Sequence, residues 1–325
     1  DSAMAPVTML RLEGCVPLSQ RRCNGVAPAH GRGSFAQNAQ HPPRPRYRHR
    51  RAGIGTQGWR RGTVDRMIAS ASVSSGGDSA RVAVLGASGY TGAEIVRLLA
   101  LHPGMQVSAI TSERSAGKHF DTVFPHLRES FFRSSSTAGS RSQSLMNLEL
   151  QRVEDVSWDS VDAVFCCLPH GTTQEIIAAL PRSKKVVDLS ADFRLRDVGE
   201  YAQWYGKPHA APDLQKDFVY GLTEVNREAV ARATLVANPG CYPTSIQIPL
   251  VPLLRERLIS TDDIILDAKS GVSGAGRAAK QNTLYTEIAE GINAYGVTSH
   301  RHVPEIEQGL MDAMAEDGSP EIKVS

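Results

Sequence analysis

The chain has 325 residues, enough for two domains of ordinary size. With 41% hydrophobic and 22% charged residues it has no compositional reason to stay unfolded, and no run of about 18 apolar residues offers a membrane span. The net charge of +2 hides an asymmetry: residues 1–80 hold twelve Arg, no Lys and four acids, giving +8, so the remainder carries −6 and has no electrostatic reason to seek nucleic acid.

The basic segment comes first in the chain. It is Arg-rich, Ser-containing and acid-poor, and its stretch HPPRPRYRHRR at 41–51 has three prolines and cannot bury an apolar face. That is the composition of an organelle transit peptide, and the want of a strong amphipathic pattern favours a plastid leader over a mitochondrial one. An unstructured extension with another use is the alternative; a nucleic-acid-binding arm is disfavoured because no aromatic residues are interleaved for stacking. A leader over 1–79 is expected, with folding starting near Ala80.

The first strand is read at Arg81–Leu85. It enters the glycine turn Gly86-Ala87-Ser88-Gly89-Tyr90-Thr91-Gly92, and AEIVRLLALH then predicts a helix with an apolar face of Ile95, Val96, Leu98, Leu99 and Leu101. Pro103 and Gly104 stop it, and 106–110 reads as the next strand, completing one right-handed βαβ unit. A spacing of Gly-x-x-Gly-x-x-Gly is weak by itself. Between a strand and a helix it predicts a dinucleotide site, with glycines for the tight turn and helix-start N–H groups for the diphosphate. Gly86, Ser88, Gly89, Tyr90, Thr91 and Gly92 are the candidates, the alternative being an ordinary strand–helix turn. After the second strand, Ser112, Arg114, Ser115 and Lys118 suit the extra 2′-phosphate of NADP(H), while Glu113 works against it.

A surface loop is expected over 130–144 and a short strand over 145–150. Strands follow at 162–167, 185–189 and 234–237, with a helix at Thr172–Leu180. Apolar strands alternating with helices predict a mostly parallel sheet covered on both faces. Pro169 leaves the carboxyl end of the 162–167 strand, where ligands bind in open α/β sheets. His170 beside it either lies near the nicotinamide or caps the next helix, and the sequence does not choose. Beyond Cys241 the character changes: an apolar segment, Tyr242–Leu258, precedes a strand at Ile264–Ala268 and a second glycine-rich stretch. The final EIKVS reads as the start of a strand, so the second domain, 241–325, is expected to be C-terminally incomplete.

Three segments point to acyl-transfer chemistry. In NPGCYPT at 238–244, a Pro-Gly turn places Cys241 at the expected start of a helix, where backbone dipoles favour a nucleophilic sulfur; the alternative is a small buried cysteine. In Tyr295–Ile306, His300 and His302 share a side of an extended stretch, Glu305 is placed to orient a histidine and Arg301 to bind an anion. A polar structural cluster is the alternative there, and a metal site is disfavoured for want of a close third ligand. Lys269, Ser270, Gly271, Ser273 and Arg277 make a phosphate or oxyanion cradle, or else a flexible linker. No cysteine spacing resembles a zinc site or a disulfide framework: Cys15 and Cys23 fall in the leader, and Cys166 and Cys167 suit buried strand thiols.

Six ordered blocks, GASGYTG at 86–92, CCLPHGTT at 166–173, DLSADFRL at 188–195, NPGCYPT at 238–244, KSGVSGAGR at 269–277 and HRHVPEIEQ at 300–308, resemble the N-acetyl-gamma-glutamyl-phosphate reductase family in its plant plastid form. The resemblance implies an α/β fold: a Rossmann-type NADP-binding domain (80–240) followed by an α+β substrate and catalytic domain with a mixed sheet, like glyceraldehyde-3-phosphate dehydrogenase. It implies NADPH-dependent reduction of N-acetyl-glutamyl 5-phosphate to the semialdehyde with release of inorganic phosphate, in the chloroplast stroma. Cys241 is the matching nucleophile and His302 the acid–base histidine, with His300 and Glu305 in the same site. Ser190, Asp192, Phe193 and Arg194 match a block near the cleft, with Arg194 a substrate contact. A homo-oligomer, dimer or tetramer, is expected, with no metal, nucleic acid or membrane partner. Family members continue past Ser325, and a polypeptide lacking that part is expected neither to fold fully nor to act. Aspartate-semialdehyde dehydrogenases share the fold and the thioester chemistry, but their nucleophile and histidine blocks read differently.

Overall fold

The computed structural model describes residues 79–128, 145, 147–261 and 264–314. The expected leader, except Ser79, the 130–144 loop and the terminal EIKVS lie outside the described residues. Six strands, β1 (Ala80–Leu85), β2 (Met105–Ile110), β3 (Ala163–Cys166), β4 (Lys185–Asp188), β5 (Phe218–Tyr220) and β6 (Leu235–Ala237), form one sheet in the order β2-β1-β3-β4-β6-β5. Every pairing is parallel. The helices that concern the site are α1 (Tyr90–Ala100), α2 (Thr173–Ala179), α3 (Val198–Tyr205), α4 (Thr223–Arg232), α5 (Cys241–Arg255) and α6 (Val303–Met314).

Strand β1 shows why the sheet reads as continuous apolar sequence. Val82 and Val84 join one core cluster, with Val96, Leu99, Val107, Ile110, Phe120 and Phe124, while Ala83 and Leu85 join the other, with Val164, Ile177, Val186 and Phe193. Alternate side chains thus enter opposite cores, and both faces are dry. The rings of Phe193 and Phe218 stack with centroids 3.9 Å apart, which holds the edge strand β5 to the second core; burying each such side chain is worth about 1.5–3 kcal/mol. Cys166 lies inside this core, where burial and then Asp188 raise its thiol well above the usual range, and the same causes push Cys167 up to about 12. Both are therefore held as thiols, Cys166 buried in β3 and Cys167 half-buried just beyond it.

The chain leaves β1 for β2 on one side and returns to β3 on the other, so the carboxyl ends of β1 and β3 flank a topological switch point. Helix α3 is stopped at both ends by its own sequence: the Asp197 carboxylate accepts from the N–H groups of Gly199 and Glu200, and Gly206 adopts φ 73°. Helix α5 continues through Pro249 and Pro252, and α6 lies along it through Ile246, Val251, Leu254, Ile306, Leu310 and Ala313. Close contact is possible because Gly309 faces Gln247; a Cβ there would overlap the Gln247 amide.

Two expected strands do not form. Over 145–150, Glu149 makes only an isolated antiparallel bridge to His119, and Gln151 just beyond makes a parallel one to Thr111. Ile264–Ala268 is not a strand: Ile264 takes part in an isolated bridge, 265–268 have no regular structure, and Ile264 and Leu266 pack on the α5–α6 core. The described residues from 241 to 314 contribute no strand to any sheet, so the mixed sheet expected there is not formed among them.

Candidate active site

The glycine turn after β1 is built almost wholly from residues 86–112. Gly86 has φ +76°, and a Cβ on it would sit 2.5 Å from the carbonyl oxygen of Cys167, so only glycine fits where β1 and β3 diverge. A Cβ on Gly92, inside the first turn of α1, would lie 2.5 Å from the Gly86 carbonyl oxygen. The turn is tied to β2: the Ala87 N–H donates to Thr111 O at 2.8 Å, the Gly86 N–H to Thr111 Oγ1 at 3.2 Å, and Ser88 Oγ meets Ser112 Oγ at 2.7 Å. Helix α1 starts at Tyr90, earlier than its apolar pattern suggests, so Tyr90 and Thr91 stand exposed in its first turn. No side chain caps Gly89 and no acid occupies that turn. Helix-start N–H groups therefore point outward over glycines that permit close approach, a cradle that fits a dinucleotide diphosphate. Ser112 is buried at the end of β2, whereas Glu113 and Arg114 stand exposed beyond it, as Pro169 does at the end of β3.

Cys241 lies at the carboxyl end of β6, as an exposed free thiol and the first residue of α5. Its turn is held from far away in sequence. The Gly240 N–H donates to Glu305 Oε1 at 2.8 Å, and Tyr220 OH donates to the same oxygen at 2.9 Å. Arg194 reaches Glu305 Oε2 from Nη1 at 3.3 Å, donates from Nε to Asn238 O at 2.8 Å and from Nη2 to Leu189 O at 2.8 Å. Arg194 and Glu305 are 6% and 1% exposed, so this is a buried ion pair whose remaining hydrogen bonds are satisfied. Burial raises the Glu305 carboxyl, and Arg194, the Gly240 N–H and Tyr220 oppose the rise.

His302 packs on this turn: a Cβ on Gly240 would come within 2.6 Å of His302 Nε2. The His300 and His302 rings lie 4.9 Å apart, and Tyr242 approaches them at 5.1 and 6.0 Å. The His302 N–H donates to His300 Nδ1 at 3.2 Å, and Tyr295 OH donates to Tyr242 OH at 2.8 Å. Burial, followed by the charge of Arg194 and the neighbouring His300 and His170, pushes His302 down to about 3. It is therefore a neutral imidazole near pH 7, whose protonated form gains stability only when a negative charge such as a thiolate stands beside it. The structure thus gathers Cys241, His300 and His302 at one place, together with Tyr242 and Tyr295.

Several expected roles change. The histidines lie in the turn that opens α6, not in an extended stretch, because Pro304 suits a first helical turn and Ile306, Leu310 and Ala313 follow at helical spacing. Glu305 orients no histidine; it points back beneath Gly240. Arg194, expected at the substrate, gives three of its donors to two carbonyl oxygens and Glu305, and so stitches the ends of β4 and β6. Arg301 is exposed, with its guanidinium 5.7 Å from the Tyr205 ring centroid. His170 caps no helix: its Nδ1 accepts the Ala191 N–H at 2.9 Å. Asp192 takes the start of α2, accepting from Gly171 N at 2.5 Å and Thr173 N at 3.1 Å. Lys269, Ser270, Gly271 and Ser273 stand exposed, Lys269 paired with Asp267 at 2.5 Å. Arg277 lies against the glycine turn, with Nη1 donating to Ser88 O at 3.0 Å.

Tyr220, Tyr242 and Tyr295 were missed. Tyr242 adjoins the nucleophile, and an aromatic five residues before His300 was a usable signal for Tyr295. Tyr220 gave none, since β5 has only three residues.

The family model for the semialdehyde dehydrogenase NAD-binding domain matches residues 81–233, and that for the semialdehyde dehydrogenase dimerisation domain matches 241–323. The chain is 62% identical over 237 residues to the probable chloroplastic N-acetyl-gamma-glutamyl-phosphate reductase of Oryza sativa subsp. japonica, covering 73% of this chain and 54% of that protein. It is 61% identical over 247 residues to the corresponding protein of Arabidopsis thaliana, covering 76% and 58%. The N-acetyl-gamma-glutamyl-phosphate reductase of Rhodospirillum rubrum is 56% identical over 234 residues, covering 70% and 62%. The chain thus spans roughly three-fifths of the length of these relatives. It belongs to the semialdehyde dehydrogenase family, and these relatives of it are named N-acetyl-gamma-glutamyl-phosphate reductases.

Proposed function

We propose that the protein reduces N-acetyl-glutamyl 5-phosphate to N-acetyl-glutamate 5-semialdehyde with NADPH, releasing phosphate, as a step of arginine biosynthesis. The observation that carries this reading is an exposed cysteine at the first turn of α5 whose preceding glycine packs against a neutral imidazole. His302 takes the proton of the Cys241 thiol. The thiolate attacks the acyl carbon, the carbon–oxygen bond to phosphate breaks, and a thioester remains on sulfur while phosphate takes its proton from solvent. When bound, the dinucleotide supplies the hydride that reduces this acyl carbon. The carbon–sulfur bond then breaks, aldehyde leaves, and His302 returns its proton to the thiolate. N–H groups at the start of α5 are placed to stabilise the transient oxyanion. His300, by accepting the His302 N–H, fixes the path of the backbone between the rings.

Gly86, Ser88, Gly89, Tyr90, Thr91, Gly92 and Ser112 would hold the dinucleotide, with Arg114 at the ribose 2′-phosphate and Pro169 flanking the crevice. This division makes 80–240 the cofactor domain and 241–325 the catalytic one. The match to a dimerisation domain supports a homo-oligomer, and the plant relatives' chloroplastic names, with the basic segment before Ala80, support a stromal location. In the full-length protein, Cys241→Ser should abolish phosphate-dependent NADP+ reduction by the semialdehyde while leaving NADPH binding intact. Turnover retained in that variant would overturn the covalent route, and preference for an aspartyl semialdehyde would overturn the substrate assignment.

A further inference from the structure

We propose that Arg277 is a cofactor-binding residue, a cation lent by the second segment to the diphosphate of the dinucleotide at the glycine turn. This rests on the reading that the turn binds a dinucleotide. Arg277 belongs to a segment, 267–299, that is exposed nearly throughout, yet its guanidinium is fixed by three groups of the nucleotide domain. Nη1 donates to Ser88 O at 3.0 Å, Nη2 donates to Val123 O at 3.2 Å, and the guanidinium carbon stands 4.5 Å from the Phe124 ring centroid. Phe124 is 2% exposed, so the ring is an immobile platform.

These partners orient the charge without cancelling it, since both carbonyls are neutral and the ring attracts a cation. The fork has more N–H donors than the two carbonyls use. Ser88 directly precedes Gly89, so the charge is held beside the uncapped start of α1, where a diphosphate meets outward N–H groups. A guanidinium there adds charge-assisted hydrogen bonds that backbone amides alone do not supply. Arg114, the cation expected from the sequence, stands instead beyond the end of β2, at the ribose end of the site. The two arginines therefore serve different phosphates, and Arg277 makes binding depend on a residue far beyond the first domain.

Titration calorimetry on the full-length protein with NADP+, NAD+ and adenosine 2′-monophosphate separates the possibilities. Arg277→Met should weaken NADP+ and NAD+ by the same factor, about tenfold or more. Adenosine 2′-monophosphate, which has no diphosphate, should bind unchanged. Arg277→Lys keeps the charge but not the fork and should fall between; it also guards against misfolding of the Met variant, which circular dichroism would reveal. Equal affinity of the Met variant and the unaltered protein for both dinucleotides would overturn the proposal, as would a loss confined to NADP+. If the unaltered protein bound neither dinucleotide, the nucleotide reading would fail, and this inference with it.

Discussion

The two turns that make the candidate site are held in opposite ways. The glycine turn, 86–92, is mainly a local device: its fit depends on absent side chains, and its ties run to Thr111 and Ser112 within the same βαβ unit, with Arg277 on Ser88 O as a distant contact. The nucleophile turn, 238–241, is held by Arg194 before it and Glu305 after it, a buried pair separated by 111 residues. Cofactor binding can therefore survive damage that ruins acyl transfer. The nucleophile turn itself rests on the sheet through α6: the Arg196 N–H donates to Gln308 Oε1, and Gln308 Nε2 donates to Arg194 O.

The sharpest break in that comparison is Glu305→Ala. It leaves Arg194 buried and unpaired and the Gly240 N–H without an acceptor, and should cost about 3–5 kcal/mol. Denaturant melts should show the loss, and Glu305→Gln, which keeps an acceptor oxygen, should lose less. If the Ala variant melted like the parent, the long-range clamp would not hold the turn. Next is Gly86→Ala, which forces a side chain to φ +76° and against Cys167 O; it should cost about 1–3 kcal/mol and weaken NADP+ binding, while thiol-specific labelling of Cys241 proceeds as before. Altered labelling would mean that the turns are not independent.

The smallest effect is a slope. His302 has a value of about 3 in the folded protein against an ordinary 6.5, so the unfolded chain binds its proton more readily. Its contribution to stability is present above about pH 6.5 and lost as pH falls towards 3. Replacement by Phe should flatten the fall of denaturation midpoint with pH across that window; an unchanged slope would place the imidazole in solvent.

The same contrast explains what the sequence disclosed. The glycine turn, β1, α1 and β2 were readable because strand, turn and helix signals are contiguous and Gly86 and Gly92 have no substitute. Cys241 at a helix start followed from the Pro-Gly turn before it. The roles of Arg194 and Glu305 did not follow, because a charged residue in a strand-end block reads alike whether it meets a ligand or a buried partner 111 positions away. Strand β5 is too short to show periodicity, and α6 was hidden because His300 and His302 drew the reading to an extended backbone, although Pro304 and the spacing of Ile306, Leu310 and Ala313 marked a helix.

The account stands on an acyl group carried by one sulfur. Intact-mass and peptide mass spectrometry of the full-length protein, mixed with N-acetyl-glutamyl 5-phosphate in the absence of reduced dinucleotide, tests this directly. The account predicts one N-acetyl-glutamyl adduct, on the peptide bearing Cys241, discharged as semialdehyde when NADPH is added. Turnover by a protein that forms no such adduct, or forms it on another residue, would contradict it.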